Sequence, residues 1–205
     1  MGMVKGRTWF SVHVFLHNIY KLQLFCLLLN ISGYLCSRLN HSVKDDLFFE
    51  ITEPDYLRYT FKVRPAQNFG VPFRESLRNV GLVLAEPHHG CSPPINKYDL
   101  QNNVALVERG SCSFLTKCVQ ADRVGILALV VADNDIKNDD QYIDMIDDNT
   151  KRNCSIPAVF LLGKDGYMIR QRLQAHGLSR AIINIPVNIT TVPLHQQRHP
   201  PWQLW

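Results

Sequence analysis

Beyond residue 45 the apolar positions fall into short blocks punctuated by Gly, Pro and Asn, and two longer stretches carry helical spacing. Leu47–Ile51 and Leu57–Val63 predict a leading hairpin or pair of strands separated by Glu53-Pro54-Asp55. Gly81–Ala85 is a short apolar strand ended by Pro87 and the loop His88-His-Gly-Cys-Ser-Pro-Pro94. Asn103–Glu108 is a second strand, stopped by Arg109-Gly110. A helix should follow, with Ser111 or Ser113 accepting from its free N–H groups. Phe114, Leu115, Cys118, Val119 and Ala121 form its apolar stripe, and Gly125 suits the left-handed cap. On that wheel Phe114 is expected to plug the core, and Lys117 to be a solvated charge on the helix face. Ile126–Ala132 is continuously apolar, as a central strand covered on both faces would be.

The second half repeats the alternation. Asp133–Thr150 is acidic and polar, contains a Tyr142–Ile146 patch, and is expected to form a long loop with one helical turn. Ile156–Leu162 is a buried strand that confines Pro157 to its start. A helix over about 164–176, with Met168, Ile169 and Leu173 inward, stops at Gly177, and Ala181–Val187 returns as a strand. Strand–helix–strand spacing of this kind argues for parallel crossovers in an α/β domain. Pro200-Pro201 keep the tail from Thr191 irregular. The resulting division is 1–36 targeting segment, 37–46 polar lead, 47–190 domain and 191–205 tail.

Composition changes this picture mainly at the N-terminus. Lys5, Arg7 and Lys21 precede the apolar Leu22–Leu29, small or polar residues follow, and the first acid is Asp45, the order of a secretory signal. An uncleaved anchor is the rival, but Phe10–Leu35 is interrupted by His13, His17, Asn18, Lys21, Gln23 and Asn30. Taking the three early bases from 22 leaves 19 against 18 acids, which gives no footprint for nucleic acid or, after cleavage, for a membrane. Of six cysteines, Cys26 and Cys36 fall in the segment to be removed. Cys91, Cys112, Cys118 and Cys154 remain, and export favours pairing them, in one of three connectivities that spacing does not decide. Asn40, Asn153 and Asn188 are the usable glycan acceptors, Asn30 lying in the signal.

No catalytic constellation forms from these residues. Gly177-Leu-Ser179-Arg-Ala lacks the second glycine of a nucleophile elbow and follows a helix instead of a strand. His88, His89 and Cys91 could hold zinc only if Cys91 stayed reduced, and they lack a helical ligand spacing. Asp133, Asp135, Asp139, Asp140, Asp144, Asp147 and Asp148 lack the glycine and terminal glutamate of a calcium loop, so a solvated acidic loop is expected. The sequence thus implies no cofactor, no metal and no enzyme.

Asn103–Lys117, with its Arg109-Gly110-Ser-Cys112-Ser-Phe114 turn, then Gly125–Asn134, resembles the core of the protease-associated domain. Ile156–Leu162 with Gly166 resembles that family's later strand and helix entry. Ile185–Thr190 and the Pro200-Pro-Trp ending resemble a small, signal-bearing, single-domain member. The resemblance implies a swivelling β/β/α fold with a mixed, barrel-like sheet and two main helices. It also implies a non-catalytic, secreted module that binds a protein partner in the secretory pathway or outside the cell. A membrane-tethered luminal sorting receptor and a hydrolase accessory chain are the alternatives. Arg109, Gly110 and Phe114 are its motif positions; Arg109 is either a solvated turn charge or part of a ligand-facing rim. The resemblance further implies a Cys91–Cys112 bridge, where the similar member carries two cysteines. Cys118 and Cys154 stand where related chains usually lack cysteine, which suggests a mutual bond, with two buried free thiols as the alternative.

Overall fold

A computed structural model describes residues 46–203. The targeting segment, Cys26, Cys36 and the acceptors Asn30 and Asn40 lie outside the described residues. In chain order the elements are β1 (Leu47–Glu53), β2 (Thr60–Pro65), β3 (Leu77–Leu84), α1 (Lys97–Leu100), β4 (Val104–Glu108), α2 (Phe114–Val124), β5 (Ala128–Ala132), β6 (Ala158–Leu161), α3 (Gly163–Ala175) and β7 (Arg180–Ile185).

The seven strands close into a mixed barrel in the order β1-β2-β6-β5-β4-β3-β7. β3, β4, β5 and β6 run parallel, while β1, β2 and β7 pair antiparallel with their neighbours. Because side chains alternate along a strand, β4 to β6 feed two apolar clusters. Ala105, Val107, Leu129, Val131 and Phe160 meet Leu115, Cys118 and Val119 of α2. Val104, Leu106, Val130, Val159 and Leu161 meet Phe49, Phe61 and Ile183 from other strands and Ile169 and Leu173 of α3. Double coverage explains why these three strands are apolar without interruption.

Ser113 is the N-cap of α2, its hydroxyl accepting from Thr116 N at 3.1 Å, and Gly125 closes the helix in the left-handed region at φ 81°. Four expectations are corrected. Leu57 lies in a single 3-10 turn, Asp55–Leu57, instead of a strand, and β3 starts earlier than its apolar run, at Leu77. β7 does not pair with β6 as a parallel crossover would; it runs antiparallel between β1 and β3 and closes the barrel. Residues 133–150 contain no helical turn, yet they are not simply solvated. Met145 is buried and its carbonyl accepts from Gln67 N at 3.0 Å, while Tyr142 donates to Lys62 O at 3.2 Å.

The tail, expected to be irregular, carries one 3-10 turn at Leu194–Gln196 and is not loose. Arg198 O accepts from Thr60 N at 2.7 Å, and the Trp202 indole meets Tyr59 edge-on at 5.6 Å between ring centroids. Trp202 Nε1 and Gln203 Nε2 donate to the two oxygens of Asp165, at 2.8 and 2.7 Å. Asp165, 1% exposed, is a buried carboxylate in the first turn of α3. Burial pushes its carboxyl up to about 6, against the pull of both donors and the Lys164 ammonium. The folded chain therefore holds this proton more tightly than the unfolded chain. The stability this proton confers is fully present below the unfolded carboxylate range and is lost as the pH rises through 6. Asp165→Asn is expected to stabilise the domain by about 2–3 kcal/mol at pH 7.5, and the gain should vanish towards pH 4. Denaturant melts of both proteins across that range check this; an equal gain at the two ends would contradict it.

Candidate functional site

The turn after β4 is built around a buried carboxylate. Asp133, 4% exposed, accepts from Arg109 Nη1 at 3.0 Å and from Asn134 N at 2.8 Å through one oxygen, and from Asn138 Nδ2 at 2.7 Å through the other. Arg109 N in turn donates to Ala132 O at 2.8 Å. Arg109 is therefore neither free in solvent nor an unpaired rim charge. Gly110 follows at φ 101° and Ser111 at φ 67°, turning the chain sharply into α2. Phe114 is half-buried and packs against the α2 cluster from its edge instead of filling it.

Lys117 corrects a second expectation. Its side chain is not solvated but 1% exposed, and Nζ donates to Gly110 O at 2.6 Å and to His89 O. Those two carbonyls replace water, and they fasten the 88–91 loop to the Arg-Gly turn. Burial pulls the ammonium down to about 8, partly offset by the Glu108 carboxylate. One signal was present in the sequence: Lys117 stands three residues after Phe114 and four before Ala121, so it lies on the stripe itself. Beside it Cys91 is bonded to Cys112, with Cα atoms 5.9 Å apart. Cys118 and Cys154 are also bonded, at the same Cα separation, and both are buried. Asn153 and Asn188 are exposed.

A groove of about 660 Å³ opens at the carboxyl ends of the parallel strands. Leu84 and Ala132, the last residues of β3 and β5, and Leu106 of β4 form its floor. Glu86, Pro87 and His88 make one wall; Gly166, Arg170 and Gln174 of α3, with Leu178 and Ser179, make the other. Glu108 projects here, ion-paired to Arg170, and His88, 63% exposed, stands 3.9 Å from the same carboxylate. The acid best placed for proton transfer is thus committed to an arginine. The groove suits docking: it has an apolar floor and a polar rim, and Glu108 in its lining is paired to Arg170. Arg109, Gly110 and Phe114 do not line it, and the sequence reading missed Arg170, Gln174 and Leu178. Only the Pro87-His88 loop and the strand end at Glu108 pointed towards it. Among the described residues no group of three His, Cys, Asp or Glu side chains could hold a metal ion, and no helix is long and apolar enough to cross a membrane.

The pattern of the PA domain matches residues 79–169. The PRADC1-like protein of Drosophila melanogaster is 44% identical over 165 residues, spanning 80% of this chain and 84% of that one. The chain belongs to the PA domain family. The ER degradation-enhancing alpha-mannosidase-like protein 3 of Xenopus laevis is 31% identical over 132 residues, and the signal peptide peptidase-like 2 of Arabidopsis thaliana 35% over 94. In those two the match spans only 14% and 16% of the protein. The family's Arg-Gly turn is thus, in this PA domain, a structural clasp beside the groove. Asp133→Ala removes the acceptor of three donors at once and is expected to cost about 3 kcal/mol, with new proteolytic cuts within residues 134–141. Urea unfolding with limited proteolysis checks this, and a loss below about 1 kcal/mol would contradict the clasp.

Proposed function

We propose that this PA domain protein is a non-catalytic, secreted glycoprotein that binds a segment of a partner protein in the groove between the Glu86–His88 loop and α3. The groove carries this reading: an apolar floor at the carboxyl ends of three parallel strands, rimmed by Glu86, His88, Arg170 and Gln174. Glu108 in its lining is ion-paired to Arg170, an arrangement for recognition instead of proton transfer. Two bridges in so small a domain favour an oxidising compartment. Two relatives are named for endoplasmic reticulum degradation and for signal peptide peptidases, which supports entry into the secretory pathway.

Glycans are proposed at Asn188 and Asn40. Asn188 is exposed just beyond β7, and its Oδ1 accepts from the Thr190 hydroxyl at 2.6 Å. Asn153 is the poorer acceptor, because its neighbour Cys154 is buried and bonded. In a secretory cell the medium should contain a chain starting near residues 34–38 that shifts on a gel after peptide N-glycosidase. An intact N-terminus resisting carbonate extraction from membranes would favour the tethered reading instead.

Leu178, exposed at the groove wall, is the position for a test of binding. Leu178→Arg should leave the melting temperature within a few degrees of wild type. It should also remove the partners that wild-type protein gains by cross-linking in the secretory pathway. An unchanged set of cross-linked partners would reject the groove.

A further inference from the structure

The two bridges sit in opposite surroundings. Cys118 and Cys154 are 0% and 1% exposed, within the apolar cluster under α2. Cys91 and Cys112 are both half-buried at the surface, beside the exposed Ser92 and Ser111. Lys117 Nζ stands 3.4 Å from Cys91 Sγ. Two of its three N–H groups are taken by the His89 and Gly110 carbonyls, which hold the ammonium against that sulfur.

We propose that Cys91–Cys112 is a thiol-exchange site, opened by low-molecular-weight thiols of the glutathione class while Cys118–Cys154 stays closed. A thiolate attacks Cys112 Sγ, the bond between the two cysteine sulfurs breaks, and a mixed disulfide forms on Cys112. Cys91 leaves as a thiolate, carrying the electron pair of the broken bond, and the Lys117 ammonium stabilises that charge. A second thiolate attacks the external sulfur of the mixed disulfide and releases Cys112 as its thiolate. Two thiols have then been oxidised to one disulfide, and the protein has gained two electrons. Leaving-group stabilisation is the reason for the preference, because a thiol of lower pKa departs faster and a neighbouring ammonium lowers it. The buried bridge offers no approach for the nucleophile, with its cysteines 0% and 1% exposed. Opening would remove the covalent tie between the 88–91 loop and the Arg-Gly turn and leave the Lys117 hydrogen bonds as the tie, and that loop continues the groove wall at Glu86–His88.

The test uses the secreted, folded protein in reduced glutathione, quenched with iodoacetamide and mapped by peptide mass. Cys91 and Cys112 should be alkylated while the 118–154 peptides remain linked. Lys117→Gln should slow this opening at least about threefold. The sign is diagnostic: a purely structural lysine, once removed, would loosen the loop and speed the opening. Equal or faster opening in the variant, or release of both bridges together, overturns the proposal. Should the variant not be secreted, alkylation of Cys91 in opened wild-type protein decides. Reaction persisting below pH 7 supports the site, and a midpoint near the ordinary thiol value of about 8.5 overturns it.

Discussion

α3 lies against the end of β5 at backbone distance, and two glycines permit it. A Cβ on Gly166 would fall 2.3 Å from Ala132 Cβ, and one on Gly163 would fall 1.9 Å from Asp135 O. Neither obstacle is the end of a flexible side chain, so any larger residue would drive helix and strand apart. The floor of the groove at Ala132 and its wall at Gly166 are the same contact. The approach also delivers Asp165, between those glycines, to the Trp202 and Gln203 donors of the tail. Separation of α3 from β5 would therefore undo the groove and the tail anchor together.

That close packing leaves three ionisable groups buried, and the chain treats each differently. Asp133 is met by an arginine, an amide side chain and a backbone N–H, enough to replace its hydration. Lys117 meets carbonyl dipoles and keeps its charge with a weakened proton affinity. Asp165 has two neutral donors, which do not outweigh its desolvation. The charges of Asp165 and Lys117 thus both oppose folding near neutral pH, Asp165 by a carboxyl pushed up to about 6 and Lys117 by an ammonium pulled down to about 8. The satisfied groups fasten loops to the scaffold, as buried hydrogen-bonded groups do when breaking one partner strands the other. No buried side-chain nitrogen or oxygen among the described residues lacks a hydrogen-bond partner.

Local features were legible because local physics decides them. Ser113 and Gly125 frame α2 as capping rules require, and the uninterrupted apolar run at Ala128–Ala132 is a strand covered on both faces. The PA domain family was legible in the Arg109-Gly110 turn and the strands around it. Closure of the barrel was not, since Glu50 pairs with Asn184 across most of the domain and no local period encodes that partner. Lys117 and Asp165 escaped for one reason: a charged residue is assigned to solvent unless its replacement partners are known. Those partners, the His89 and Gly110 carbonyls and the Trp202 indole, come from distant loops and the tail. The groove escaped likewise, being assembled from the ends of three strands and one face of α3.

Both walls of the groove are fixed within the chain itself, though by unlike means. The α3 wall rests on backbone contact through Gly163 and Gly166. The opposite wall is a loop, and a loop has to be tied. Asn96 ties one side of it, accepting from Glu86 N at 3.0 Å and donating to Leu84 O at 2.8 Å. The His89 carbonyl on Lys117 and the Cys91–Cys112 bond tie the other. Ordering such a loop only on binding would cost about 0.5–1.5 kcal/mol for each side chain immobilised. Here much of that ordering is completed on folding. The α3 wall is set by packing that only unfolding removes, whereas the loop wall depends on a covalent bond at the surface. Of the two, the loop wall is the one whose position chemistry can change while the barrel stays folded.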